Sequence, residues 1–431
     1  MLSIGLMSGT SMDGIDAALL ETDGAAKIKL LGHGHLAYEL PFIRLLKTAE
    51  WAIRQAKGDL VQAASIYTQI IPDYLKNALM MSDSEILACI QSMKDYLSAE
   101  GSMDFCLEAV IQHSTNLHAR AVQQLLAQTG YRANDIDVVG YHGQAMYHQP
   151  LHSVSIIVGD GQVLANHLKI KVVNDFRSAD IALGGQGAPF APLYHQALVL
   201  HDQPSPAVVV NCGGIANITV ISSADPNDLI AFDTGPGNVL MDQLVRQRTK
   251  GAENMDRDGH YGAKGKVHPA VLKLLYEKAV LQAGRSYLLK PAPKSLDSGD
   301  LQLIPELATL SLMDACATLA QFTAETIVQG VEALDVSMPS HWILAGGGWN
   351  NPVIYNALAA CLARKLGRAA IILHADVINW HSQSLEAQMF AYYAVCCLQQ
   401  KPISFPGTTG VAKPTCGGVC HAPQQTVHTL F

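Results

Sequence analysis

Three glycine-rich runs in this sequence are places where a backbone can come close to a chain of phosphates: SGTSMDG at residues 8–14, DTGPGN at 233–238 and AGGG at 345–348. At such turns the missing Cβ lets N–H and O–H donors crowd around an anion. Each run follows a short apolar stretch that reads as a strand, so each lies where α/β sheets hold their ligands. A single glycine-rich turn is weak evidence, but three in a repeated context could converge on one nucleotide. Gly235, Gly237 and Asn238 suit phosphate contact, and Gly346, Gly347 and Gly348 offer bare backbone on which an adenine can lie.

Phosphoryl transfer also needs a divalent cation and a group that orients or deprotonates the nucleophile. Four acids stand near the turns: Asp13, Asp160, Asp175 and Asp233. Asp233 leads a phosphate-type turn and suits a metal environment, reached through water. Asp175 ends an apolar strand beside Arg177, ahead of Gly184, Gly185, Gln186 and Gly187. It suits a general base, with the glycine loop lining a substrate pocket. A capping or ion-paired aspartate is an equal alternative there. His142 and Gln144, at another strand end, suit either substrate hydroxyls or buried backbone groups that need partners; His148 and His152 read as loop residues.

The elements that must carry these residues come in two rounds. Strands at 4–7, 17–21 and 28–38 form a meander, a long helical region covers 41–126, and strands follow at 136–140, 153–158 and 170–173 with a helix at 162–167. After the connection at 203–206, strands at 207–211, 218–221 and 229–232 form a second meander. Helices come next, then strands at 341–344 and 370–374 around a helix that starts near Pro352. The fold class is α/β, with two similarly wound domains, 1–203 and 204–431, facing a cleft. The helix at 384–398 carries Leu385, Met389, Tyr392 and Tyr393 on one face; it reads as core packing or as an element returning across the domain junction.

With 431 residues, 49% of them hydrophobic and 15% charged, the chain can bury two cores and does not have the composition of a disordered protein. No apolar run approaches a membrane span, and no basic leader precedes an apolar core, so a soluble, cytoplasmic protein is expected. A net charge of −8 argues against a nucleic-acid surface and for a small-molecule partner; a homodimer is left open. The nine scattered cysteines suggest neither a disulfide scaffold nor a zinc site, and Cys416, Cys420 and His421 read as a tail with reduced thiols.

Taken together, GLMSGTSMDGID, YHGQ followed by HQP, VVNDFR, GGQGAPFAP, NCGGIANIT, FDTGPGN, LAGGGWNNP, LEAQMFAYYAV and FPGTTG resemble the anhydro-N-acetylmuramic acid kinases, in family order over nearly the whole chain. That family is a branch of the actin, heat-shock chaperone and sugar-kinase superfamily. The resemblance implies an actin/hexokinase-like (ribonuclease H-like) fold and an enzyme of cell-wall recycling that uses ATP, Mg2+ and water. Its substrate would be 1,6-anhydro-N-acetylmuramic acid, whose anhydro ring it opens and phosphorylates to N-acetylmuramic acid 6-phosphate. The ATP phosphate loop would then be Gly9, Thr10, Ser11, Met12, Asp13, Gly14, Ile15 and Asp16. Asp175 would be a buried base that activates water, and Glu325 in FTAETI a sugar contact.

The chain departs from the family in three places. Met7 stands where the superfamily usually has an aspartate, KSLDSGDL at 294–301 replaces the usual KSTGRE, and residues 80–103 fit the family pattern poorly. Two alternatives stay open: a kinase of another sugar on the same fold, and a non-enzymatic nucleotide-dependent switch.

Overall fold

The computed structural model describes residues 1–9, 11–102, 104–149, 154–202, 206–282, 284–296 and 298–424. The chain opens with β1 (Leu2–Ser8), β2 (Gly14–Thr22) and β3 (Ile28–Ala37), then α1 (Leu40–Gln55), α2 (Leu60–Leu79), α3 (Asp83–Ala99) and α4 (Leu107–Thr129). Next come β4 (Val138–Gln149), β5 (Val154–Val158), α5 (Gly161–Leu168), β6 (Val172–Asn174), α6 (Ser178–Ala182) and α7 (Ala191–Asp202). The second round is β7 (Ala207–Cys212), β8 (Ile215–Ile221), β9 (Ile230–Pro236), α8 (Val239–Arg248), α9 (Pro269–Lys278), β10 (Leu281–Gln282), β11 (Arg285–Ser286) and α10 (Leu312–Glu332). It ends with β12 (His341–Ala345), α11 (Pro352–Leu366), β13 (Ile371–His374), α12 (Leu385–Leu398), α13 (Pro406–Thr409) and β14 (Val419–His421).

Two compact units result. The first is Met1–Tyr194 with Gln383–Phe405 and Gly410–Phe431; the second is His195–Ser382 with Pro406–Thr409. The sheet of the first unit has the order β14-β6-β4-β1-β2-β3, and that of the second β13-β12-β7-β8-β9. In each, an antiparallel meander supplies three strands, and parallel strands reached through helices then add beside the first of them. The same winding occurs twice, as an actin/hexokinase-like α/β fold requires.

The central strands of both sheets are largely buried; Ile4, Leu6, Leu19 and Val139 build one core, Val208, Val210, Ile218 and Trp342 the other. Residues 80–103, which fit the family pattern poorly, include α3. It starts at a capping box between Ser82 and Glu85 and buries Ile86, Cys89, Met93 and Leu97 in the first core.

The unit division differs from a cut at 203/204, because α12 lies on the first sheet. Gly5 and Gly140 are neighbours in register on β1 and β4. A Cβ at Gly5 would stand 1.8 Å from the Ala387 carbonyl oxygen, and one at Gly140 2.0 Å from that of Phe390. Two bare backbones therefore meet a third, and Ser3 Oγ adds a hydrogen bond, 2.7 Å, to the carbonyl of Ala391.

Three other expectations are corrected. β4 runs on to Gln149, beyond residue 140, because residues 144–149 pair with β5, and His148 is therefore a strand residue. β9 continues through Asp233 to Pro236. Part of the tail is a strand: β14 pairs antiparallel with β6, and His421 Nε2 lies 2.9 Å from Asn174 Oδ1. Cys416 and Cys420 are free thiols and exposed. His152 lies outside the described residues. Among the described residues no helix is long and apolar enough to cross a membrane.

Candidate active site

β1, β4 and β6 are adjacent and parallel, with Ser8 opposite Gln144 and Gly140 opposite Val173. The glycine turn after β1, residues His142–Gln144 within β4 and the Asp175–Arg177 stretch after β6 thus lie at one level across the sheet. Gln144 Nε2 donates to the Gly9 carbonyl at 2.9 Å, which ties the first turn to β4. Within that turn Met12 N–H donates to the Gly9 carbonyl at 3.1 Å, and Ser11 Oγ donates to Asp13 Oδ1 at 2.7 Å. Ser11 and Asp13 are exposed. A Cβ built on Gly9 would come within 4 Å of nothing but Ser11, so this backbone is open to a ligand.

Other members of the loop have structural duties. Met12 and Ile15 are fully buried, and Gly14 packs so closely on His35 and Leu36 that a Cβ would clash at 2.5 Å. Asp16 accepts from His35 Nδ1 at 2.8 Å, and burial raises its pKa. Thr10 lies outside the described residues. Beneath the turn, Ser8 Oγ lies 3.1 Å from both His118 Nε2 and the Gly143 carbonyl, and its one proton serves them in turn. His118 Nδ1 donates to the Ser114 carbonyl at 2.7 Å, and burial pushes its pKa down to about 4, so it is a neutral prop.

Asp175 stands at φ +54°, in the left-handed region that a non-glycine residue enters only when its surroundings impose it. Its Oδ1 accepts from Ser178 Oγ at 2.6 Å and from Ser178 N–H at 3.2 Å, so it also braces α6. The carboxylate is exposed, where a buried one was expected: Asp175 lies just past the end of β6.

Beside it Arg177 is a hub. It donates to His142 Nε2 at 3.1 Å and to the Gly187 carbonyl at 2.9 Å, and lies over the Phe190 ring. His142 Nδ1 donates to the Gly143 carbonyl at 2.9 Å; burial and the Arg177 charge hold its pKa near about 3, so the imidazole is neutral. Asp180 Oδ2 accepts from Gly187 N–H at 2.7 Å and fixes the other end of the 184–187 loop. A Cβ at Gly185 would collide with that carboxylate at 2.1 Å, which makes Gly185 a packing glycine; Gln186 is half-buried on the same loop.

One acid was missed by sequence reasoning. Glu386, in the first turn of α12, interacts electrostatically with Arg177 and Asp16; its crowded surroundings raise its pKa while Arg177 opposes the rise. Its signal is visible in hindsight: it is the one charged residue in LEAQMFAYYAVCCL. Asp160 belongs elsewhere, capping α5 by accepting from Val163 N–H at 2.9 Å.

In the second unit the turns after β7, β9 and β12 touch one another. Gly237 and Asn238 donate backbone N–H bonds to the carbonyls of Gly214 and Gly213, 2.8 and 2.9 Å. Gly346, at φ +92°, and Gly348 abut Cys212, and Gly235 abuts Thr326, so these four glycines, Gly237 included, are needed for packing. A Cβ on Gly347 would meet nothing within 4 Å, and this residue, with Gly213 and Gly214, forms the open edge.

Asp233 accepts from Leu296 N–H at 2.7 Å through Oδ2; among the described residues Oδ1 has no protein partner. Its backbone donates to Lys294 O and accepts from Tyr287 Oη at 2.6 Å, so the divergent 294–296 segment braces it. Burial raises the Asp233 pKa to about 6, opposed by the Leu296 hydrogen bond. Glu325 is committed locally, accepting from Tyr276 Oη at 2.7 Å and from Gln321 Nε2 at 2.8 Å between α9 and α10.

The family model described as anhydro-N-acetylmuramic acid kinase matches residues 52–423. The anhydro-N-acetylmuramic acid kinase of Rhizorhabdus wittichii is 38% identical over 423 residues, covering 98% of this chain and 99% of that protein. Those of Methylorubrum extorquens and Azorhizobium caulinodans are each 37% identical with 98% of this chain covered and 99% and 100% of theirs. Among solved structures, a ROK hexokinase from Thermus thermophilus is a distant likeness, with 12% identity and a TM-score of 0.39 over 91% of this chain and 99% of that one. On the family match and the near-complete alignment with these relatives, the chain belongs to the anhydro-N-acetylmuramic acid kinase family.

Proposed function

We propose that the protein uses ATP and water to convert 1,6-anhydro-N-acetylmuramic acid to N-acetylmuramic acid 6-phosphate, as a cytoplasmic step of cell-wall recycling. Asp175 takes a proton from water as the water oxygen bonds to the anomeric carbon. The C1–O6 bond breaks, O6 accepts the γ-phosphoryl group, and ADP leaves; atoms and charge balance without a further reactant. One carboxylate that aims one water accounts for the hydrolytic half, and strain in the bicyclic sugar favours the opening. The observation that carries this reading is the left-handed, solvent-facing Asp175 beside the Arg177–His142 pair, on a strand end that only β4 separates from the strand leading into the open Gly9 turn.

Gly9, Ser11 and Asp13 are the phosphate contacts we propose in the first unit. Gly235, Gly237, Asn238 and Gly346–Gly348 supply the corresponding turns of the second, with Gly347 the most open. His142 and Gln144 shape the sugar pocket from beneath, with Gly185 and Gln186 on its loop. Magnesium fits the donors available: a carboxylate with one oxygen unclaimed, Asp233, would hold it through water. Bound there, the ion would offset charge on the phosphates. Glu325, whose oxygens are both engaged, is a weaker sugar contact than Glu386.

The test is to incubate the protein with Mg-ATP and the anhydro sugar in heavy-oxygen water and weigh the product at once. The expected product carries one phosphoryl group and one heavy oxygen at the anomeric hydroxyl. An unlabelled phosphorylated sugar would mean an ordinary sugar kinase, and ATP hydrolysis indifferent to sugar would mean a nucleotide switch; either overturns the proposal.

A further inference from the structure

The second unit contains a cavity of about 650 Å³ that the proposed chemistry does not use. Its walls come from the middle of β9 (Phe232, Thr234), the last turns of α10 and the residues just after it (Thr326 to Leu334), Tyr276 of α9, and the 286–294 segment. It adjoins the β9 turn at Thr326, which abuts Gly235, and extends away from that turn. Thr323 of α10 donates to the Gly237 carbonyl at 2.8 Å, and the cavity begins one turn farther on, at Thr326, and follows the helix about 9 Å to its end at Glu332. Its size lies in the range of small-molecule sites.

Its chemistry is two-sided. Phe232, Leu288, Leu289, Pro291, Ala333 and Leu334 make an apolar wall, and Leu289 is 86% exposed at the mouth. Against that wall stand two half-buried cations, Lys290 and Lys294. Among the described residues neither forms an ion pair, and the one acid on the lining, Glu277, is exposed at the rim. Lys290 is engaged by the Gln282 side-chain carbonyl. Lys294 Nζ donates weakly to the carbonyls of Leu288 and Tyr287, 3.2 and 3.4 Å, and lies 4.9 and 5.2 Å from the rings of Tyr287 and Phe232. An ammonium has three donors, and two carbonyls take at most two of them.

We propose that this cavity is a second binding site, for a small amphipathic carboxylate: an apolar chain or ring whose single negative charge meets the Lys294 ammonium. A monoanion suits it because Lys290 already has a partner, leaving one ammonium to match.

The probe is decanoate, titrated calorimetrically into the whole protein below its micellar concentration, with decanol as the uncharged control. One saturable site is expected, with decanol at least tenfold weaker. Lys294→Met should erase the difference between the two, and Ala333→Trp, which fills the mouth without touching either lysine, should abolish binding of both. Thermal unfolding midpoints confirm that the variants fold. No saturable binding, decanol bound as tightly as decanoate, or wild-type affinity in Ala333→Trp would each overturn the proposal.

Discussion

Replacing Asp175 by Asn, Gly and Ala separates its two jobs, because the backbone and the carboxylate make different demands. The residue sits at φ +54° and its Oδ1 takes both hydrogen bonds from Ser178. Asparagine keeps the capping oxygen and tolerates the left-handed region, so Asp175→Asn should change stability by less than about 0.5 kcal/mol. Glycine suits the backbone but loses the cap, at about 1 kcal/mol. Alanine loses the cap and adds about 1 kcal/mol of left-handed strain, for a total near 2 kcal/mol and a melting midpoint lower by about 4–8 °C. None of the three can accept a proton, so all should lose about 10²- to 10⁴-fold in kcat, whatever their stability. Calorimetric melting beside steady-state phosphorylation reads both scales, and nucleotide titration should show ATP affinity nearly intact in Asp175→Asn. If activity instead followed stability, with Asp175→Asn close to wild type, Asp175 would be a brace and no base.

Two further outcomes are expected. The raised Asp233 pKa, about 6, means that the folded state holds this proton more tightly than the unfolded state. Its contribution to stability is therefore greatest below about pH 4 and is lost as pH rises to about 6. Magnesium needs the ionised form, so turnover should fall on the acid side near pH 6; added Mg2+ should move that limb lower, and Asp233→Asn should remove the shift. Gly140→Ala sets a Cβ 2.0 Å from a backbone carbonyl that cannot yield, and should cost at least about 3 kcal/mol by denaturant unfolding. Gly347→Ala meets nothing within 4 Å and should leave stability unchanged while weakening ATP binding, by about tenfold in a nucleotide titration if the nucleotide lies there.

Strand and helix order was legible because periodicity changes cleanly between the meanders and the helices that follow, and the repeated winding came with it; the sheet orders did not, since they depend on pairings distant in sequence. The home of α12 was not. A helix apolar on every side shows no face, and the glycine pair that receives it is assembled from β1 and β4, 135 positions apart in the chain. At the site, the turns at Gly9, Asp175 and Gly237 were readable from residue type. The left-handed backbone of Asp175 was not, since aspartate gives no sign of it, and which glycines are open and which are packed depends on Cys212 and Thr326, distant in sequence. Arg177 was seen only as a neighbour of Asp175; its role as a hub follows from the pairing of β4 with β6, which brings His142 beside it.

The docking of Gly5 and Gly140 against residues 387–391 has a consequence for how the protein is made. Synthesis delivers β1 and β4 early, but the helix that covers them emerges only after His195–Ser382, so the first unit exposes a greasy sheet until almost the whole chain has been made. A nascent chain released before that helix would carry an adhesive, unfinished sheet, and chaperones would be needed most during that interval.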